Sequence, residues 1–263
     1  MAASYDIRMI DNASEYEEIV DGLLAIVKDS EATLTFRQGY RKTGHLLYGW
    51  MQRVTRSVEA VLVLEDAGYA GEAAPLRRSI IEHVVGLAWL ASEGDKVVIT
   101  VKNAHANWVT RSREQIVEAN WTSIDLTAFD DVLREITEDD HTKDHMIRFW
   151  HQAEQFAVNG TFVGYLAETG QSHPSWESAA AYLDPATEEH LPESRATVPQ
   201  VPFAAMELLL AVTYFSSVFE SVPWQSELDA LSNRSRVATI RARTIAGLTI
   251  PPELDYDPER DIL

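Results

Sequence analysis

Residues 76–90 read LRRSIIEHVVGLAWL. Leu76, Ile80, Ile81, Val84, Val85, Leu87, Trp89 and Leu90 spread apolar surface nearly all the way round a helix. A helix that is apolar on every side belongs at the centre of a helical assembly. Into this same segment the chain places Arg77, Arg78, Glu82 and His83. A charge taken into a core must be paired and hydrogen-bonded. The stretch therefore sets the fold class and also marks a polar network. Arg78 and Glu82 stand four residues apart, so they share a stripe and can pair. His83 points roughly a quarter turn from Glu82 and can line the same cavity.

Outward from this segment the chain reads as helix after helix. Gly68-Tyr69-Ala70-Gly71 is a turn, and Pro75 sits near the helix start, where a missing N–H costs little. Upstream, Leu46, Leu47, Trp50, Val54, Val58, Val61, Leu62 and Leu64 give a broad apolar face over about residues 43–66. Ser14-Glu15-Tyr16-Glu17 opens an earlier helix carrying Ile19, Leu23, Leu24 and Val27. Downstream, Ser92-Glu93-Gly94-Asp95 breaks the central helix, and Asp95 is placed to cap a fourth that runs through Glu118. Val97 to Val101 is β-branched and the best strand candidate, but the flanking pattern favours helix. Asp125 is placed to cap a helix with Phe129, Val132, Leu133 and Ile136. Shorter helices follow around Phe149 to Phe156 and before Gly170, then a polar loop over 187–202. Two long helices, about 202–221 and 223–247, complete the chain. The expectation is one all-α domain over residues 1–250, a bundle of about eight to ten helices, with 251–263 as an acidic flexible tail.

Composition narrows the function classes. The chain has 263 residues, 46% hydrophobic, enough for one large core. Its net charge of −19 repels nucleic acid and anionic lipid at long range, so an RNA partner needs a local basic patch. With no cysteine there is no disulfide framework, thiolate metal site or cysteine nucleophile. The start, MAASYDIRMIDNASEYEE, has no basic-then-apolar leader, and no apolar run reaches membrane-spanning length. These features point to the cytoplasm, with no membrane partner.

Two chemical readings of the central helix stand side by side. In one, Arg78 and Glu82 tie helices together and His83 is a satisfied core histidine. In the other, an arginine holds a phosphate while a histidine moves a proton, the equipment of a metal-independent ribonuclease. There the RNA 2′-hydroxyl is the nucleophile and no cofactor or metal is needed. A second polar element, Ser172-His173-Pro174-Ser175, follows Gly170, and Ser175 can cap the helix after it. It is either a turn held by hydroxyls or a partner that carries His173 to Arg78 and Glu82 across the bundle. Glu138, His141, Asp144 and His145 have the look of metal ligands, but the di-iron spacing occurs once, not twice, which favours an exposed acidic helix start. Arg234, Arg236, Arg241 and Arg243 form the strongest basic cluster, with Arg53/Arg56 and Arg111/Arg113 as smaller pairs.

GEAAPLRRSIIEHVVGLAWL resembles the core helix of an uncharacterised family of bacterial and phage all-helical proteins. Its pattern is Leu-x-Arg-Ser-aliphatic-aliphatic-Glu, met here by Arg78, Ser79 and Glu82, followed by an element like Ser172, His173, Pro174 and Ser175, with Tyr165 and Leu166 before it. More distantly the chain resembles the HEPN superfamily of helical bundles, often dimeric, many of them metal-independent RNases with Arg-x4-6-His. Arg78 and His83 satisfy that spacing, as do Arg134 and His141 in an acidic stretch. The chain departs in having Ser79 after the arginine and in carrying the motif on an early, apolar helix.

The resemblance implies a HEPN-like core and an endoribonuclease, acting as a toxin or phage-defence effector, as a homodimer with RNA as partner. Arg78, His83, Glu82 and His173 are the expected catalytic residues, and Ser79, Ser172, Ser175 and Arg77 the expected substrate-binding ones. Two alternatives stay open: a non-catalytic helical scaffold, and a binder of a small anionic ligand at Arg78. A cognate protein partner is not identified by any residue.

Overall fold

The computed structural model describes residues 13–28, 33–136, 146, 148–157, 161–184, 186–187, 189–194, 198–245 and 247–250. The acidic tail expected at 251–263 and the residues Glu138, His141, Asp144 and His145 lie outside them. Among the described residues there are ten helices and no strand. They are α1 (Ala13–Lys28), α2 (Gly44–Asp66), α3 (Ala74–Glu93), α4 (Asp95–Glu118), α5 (Thr127–Ile136), α6 (Phe149–Phe156), α7 (Thr161–Ser172), α8 (Trp176–Ala180), α9 (Gln200–Ser217) and α10 (Gln225–Ile245).

The apolar-all-round pattern of 76–90 is cashed in as centrality. α3 packs against α2, α4, α6, α7 and α9. It buries Ile80, Ile81, Val84, Val85, Leu87, Ala88, Trp89 and Leu90. The main core joins Ile80, Val84, Leu87 and Leu90 to Ile19 and Leu23 of α1, Leu47, Met51 and Val54 of α2, Leu208 and Val212 of α9, and Leu228 and Leu231 of α10. Full burial of each such aliphatic side chain is worth about 1.5–3 kcal/mol. A smaller cluster, Trp89, Val97 and Met146, lies on the other side of α3 with Trp50, Val101 and Phe156 against it. Pro75 occupies the first turn of α3, as its missing N–H favours.

The Val97–Val101 segment is helical, as its flanking pattern favours, and lies inside α4 with Val97 in the second cluster. Two local expectations change. Asp95 does not cap α4 with its side chain: Gly94 is the cap residue, and the Asp95 carboxylate accepts from the Lys42 amide at 2.7 Å. Gly94 is required there, because it sits at φ 61° and a Cβ would stand 2.4 Å from the Gly39 carbonyl oxygen. Finally, α9 ends at Ser217 and not near 221. The Val218 carbonyl instead accepts from the Arg37 amide, and the Glu220 amide donates to Thr35, each at 2.9 Å. Phe219 packs against Phe36, the two rings tilted with centroids 4.8 Å apart, tying this corner to the loop before α2.

Asp125, by contrast, starts α5 as expected, its carboxylate accepting from the Thr127 amide at 2.9 Å. Among the described residues no helix is long and apolar enough to cross a membrane.

Candidate functional site

The two consecutive arginines of α3 leave the helix in different directions. Successive side chains on a helix are rotated by about 100°. Arg77 turns into the bundle and is 0% exposed. Its Nη2 donates to Glu168 of α7 at 2.7 Å, and its Nη1 donates to Gln200 of α9 at 2.8 Å and to the Ala70 carbonyl at 2.7 Å. This ion pair and its hydrogen bonds join α3, α7, α9 and the turn before α3. Arg77 was expected on a substrate; it is instead enclosed by the protein's own acceptors. Glu65 of α2 lies within its field: burial and neighbouring Asp66 push the Glu65 carboxyl up, and Arg77 opposes them.

Arg78 turns toward the surface, with its side chain 27% exposed. Nε donates to Glu82 at 3.2 Å, one turn along α3. Nη2 donates to the Tyr165 hydroxyl at 3.1 Å, and Nη1 contacts His173 Nε2 at 2.9 Å. The guanidinium carbon also lies 5.2 Å from the Tyr165 ring centroid, within cation–π range. Phe149 backs that ring at 4.0 Å. A guanidinium has only donors, so the contact with His173 requires Nε2 to accept and the imidazole proton to sit on Nδ1. Three of the five N–H donors of Arg78 are used by these contacts, leaving two that they do not use.

The expected meeting of Arg78, Glu82 and His173 is thus present in the geometry. It lies at the surface, however, and not in the interior: His173 is exposed because it follows the end of α7. Tyr165, which the reading of the sequence placed in a pattern but gave no role, is the fourth member. The turn that presents His173 is held by hydroxyls. Ser172 Oγ donates to the Glu168 carbonyl at 2.6 Å, and Ser175 Oγ donates to the Gly170 carbonyl at 2.5 Å. Ser175 also accepts from the Ser178 amide at 3.1 Å, completing a reciprocal cap of α8. These two serines position the turn and spend their hydroxyls on backbone.

His83 does not join this cluster. Five residues along a helix rotate a side chain by about 140°. Its Nδ1 donates to the Ser79 carbonyl at 2.7 Å, and Ser79 Oγ stands 3.5 Å from the same nitrogen. Burial holds its pKa below the ordinary histidine value; the Ser79 hydrogen bond and Glu82 oppose that, and the charge of Arg53 adds to it. His83 lines a cavity of about 200 Å³ with Glu82, Trp50, Trp89 and Gln152. Glu82 is the shared element, pairing with Arg78 on one side and walling the cavity on the other.

The basic cluster of α10 is met by acids of α1. Arg234 pairs with Glu18, and Arg241 with Glu15 at 2.9 Å. Arg243 donates to the Thr249 carbonyl and Arg236 to Asn233. Arg113 pairs with Asp130 and Arg56 with Glu59. Arg53 is exposed and has no ion pair among the described residues. Among the described residues no cluster of three or more His, Asp or Glu stands ready to hold a metal.

No curated protein matches the chain, and no solved structure matches it. Residues 44–156, from the first residue of α2 to the last of α6, are similar to a family of unknown function, DUF5677, so the match takes in Arg78, Glu82 and His83 and stops before Tyr165 and His173.

Proposed function

We propose that the chain is a HEPN-like, metal-independent endoribonuclease whose working groups are Arg78, His173, Tyr165 and Glu82. The observation that carries this reading is the 2.9 Å contact between the partly exposed Arg78 guanidinium and His173 Nε2, made between residues 95 positions apart. It sets an anion clamp against a proton acceptor. A phosphodiester entering there meets the two spare donors of Arg78, in the charge-assisted geometry that suits phosphate. The incoming phosphate draws Arg78 Nη1 off His173, and the Nε2 lone pair so freed takes the proton of the 2′-hydroxyl, whose oxygen attacks phosphorus. The bond to the 5′-oxygen breaks, and that oxygen takes a proton from the Tyr165 hydroxyl, which accepts from Arg78 and keeps its own O–H to give. The products are a 2′,3′-cyclic phosphate and a 5′-hydroxyl, and proton exchange with water resets His173 and Tyr165. Arg78 stabilises charge building on the phosphoryl oxygens, and Glu82 fixes the guanidinium. His83 takes no proton-transfer part in this scheme, since its Nδ1 is committed to Ser79 and its ring lies off the cluster. The biological setting proposed is a cytoplasmic toxin or phage-defence effector, working as a homodimer.

The test is cleavage of single-stranded RNA in chelator by wild type, Arg78→Ala and His173→Gln, each matched for folding by thermal melt. Wild type is expected to cut, and both variants to fall by about a hundredfold or more. Failure of the wild type to cut any RNA in chelator would overturn the reading.

A second reading is favoured by one observation: each of the three Arg78 nitrogens already has a protein partner. On that reading the cluster pins the end of α7 to α3 in a non-catalytic scaffold. It predicts that Arg78→Ala lowers the melting temperature and alters no chemistry.

A further inference from the structure

The cavity beside His83 contains polar groups that the fold leaves unused. It lies among α2, α3, α4 and α6, and its volume of about 200 Å³ exceeds the roughly 150 Å³ that accommodates a benzene ring in an engineered protein cavity. Trp50 and Trp89 supply aromatic walls. The indole N–H of Trp89 is buried and has no acceptor among the described residues. A buried donor left so is uncommon and costly. With Nδ1–H of His83 bound to Ser79, the lone pair on Nε2 is the ring's remaining hydrogen-bonding function. Glu82 gives Oε1 to Arg78 and keeps Oε2. Gln152 gives its amide N–H to the Met146 carbonyl and keeps its own carbonyl. The lining residues are therefore aromatic and rich in acceptors, and one of them, Trp89, holds a buried donor without a partner among the described residues.

We infer that this cavity binds one planar nitrogen heterocycle whose edge carries more N–H donors than acceptors. A guanine-like edge, with adjacent ring and exocyclic N–H groups beside one carbonyl, matches that inventory best. Uracil, with one N–H between two carbonyls, matches it worst. The ring comes either from a base of a bound RNA strand or from a free heterocyclic small molecule. The RNA source rests on the ribonuclease reading: Glu82 is common to both places, so a base in the cavity leaves its phosphate beside Arg78. Exposed Arg53, whose charge reaches His83, adds a second cation on the same side.

The experiment is titration of wild type and Val101→Phe with guanosine and with uridine, followed by tryptophan fluorescence and calorimetry. Val101 lines the cavity and is only half-buried, so the larger ring fills the space from its wall. Thermal melts confirm folding, and Trp89→Phe, which removes only the indole donor and some volume, serves as the second variant. The expected result is saturable guanosine binding to wild type, tighter than uridine, and weaker by about tenfold or more in Val101→Phe and Trp89→Phe. Equal guanosine binding by wild type and Val101→Phe, or no binding by wild type, would overturn the inference. Guanosine binding with no RNA cleavage keeps the cavity and removes the ribonuclease reading, making the source a free heterocycle. RNA cleavage that is indifferent to sequence and unchanged in Val101→Phe keeps the ribonuclease reading and removes the cavity.

Discussion

Arg77 and Arg78 are neighbours with the same side chain, yet they meet opposite environments. Arg77 is wholly enclosed, and its partners Glu168, Gln200 and the Ala70 carbonyl come from three different parts of the chain. Arg78 reaches solvent, and its partners Glu82, Tyr165 and His173 include groups able to move a proton. The first arrangement is what a buried charge needs to exist at all. The second is more than a surface charge needs, since an exposed arginine is stable in water without any partner. Organisation beyond what solvation demands is the mark by which the outer cluster is read as a site and the inner one as a tie.

The largest effect should follow from breaking the tie. Arg77→Met leaves the Glu168 carboxylate buried without its cation, at a cost of about 3–5 kcal/mol in urea unfolding. Adding Glu168→Leu should recover most of that loss, because the doubly neutral pair no longer carries an uncompensated charge. If the double variant is as unstable as the single one, Arg77 is held for something other than charge pairing.

Glu207 of α9 sharpens the comparison, because its carboxylate Oε2 is buried without the tie. Its carboxyl lies among Val84, Val85, Leu210 and Tyr214, and Oε2 has no partner among the described residues. Burial pushes its pKa up to about 7. A carboxyl raised in the folded state binds its proton more tightly there than in the unfolded chain. Its contribution is full below the ordinary value of 4.5 and is lost as pH climbs from there to about 7. Glu207→Gln should therefore match wild type near pH 4 and be more stable at pH 8 by about 3 kcal/mol. Denaturation curves at the two pH values check this, and an unchanged gap would show that the carboxyl is solvated.

A smaller effect is expected at the turn that carries His173. Ser175→Ala removes the cap of α8 and one hydroxyl bond to Gly170, at a cost of about 1 kcal/mol. RNA cleavage should fall with it, as the imidazole loses its fixed place. The smallest stability effect is expected at Arg78 itself. Arg78→Ala should cost roughly 1 kcal/mol or less, since its ion pair is partly exposed. A loss as large as that of Arg77→Met would erase the distinction between the two arginines.

How much of this was legible in the sequence follows from the range of each signal. The centrality of α3, the caps at Asp125 and Ser175, and the Arg78–Glu82 pair all depend on neighbours within one or two turns, and periodicity reports those. The identity of the arginine that goes inside does not. Arg77 and Arg78 differ only by a 100° step around a helix that is apolar on every side, so the pattern could not say which one is enclosed. Its partner Glu168 was readable in hindsight: Tyr165, Glu168 and Ser172 share one face of α7, the face turned to α3. The behaviour of Asp95 depends on a loop more than fifty residues upstream, which no local rule reaches. The separation of His83 from Arg78 was, by contrast, available from helix geometry, and the attraction of the Arg-x4-6-His spacing obscured it. The cavity between the two tryptophans is a property of three-dimensional packing and had no sequence signal.

The central claim is that the inner arginine holds the fold and the outer one does the chemistry. The most direct test is RNA cleavage in chelator by two folded proteins, the Arg77→Met/Glu168→Leu double variant and Arg78→Ala. The double variant lacks the interior arginine and keeps the surface cluster, so it should cut as wild type does and leave 2′,3′-cyclic phosphate ends. Arg78→Ala should fold and not cut. Cleavage by Arg78→Ala at the wild-type rate, or its loss in the folded double variant, would contradict the account.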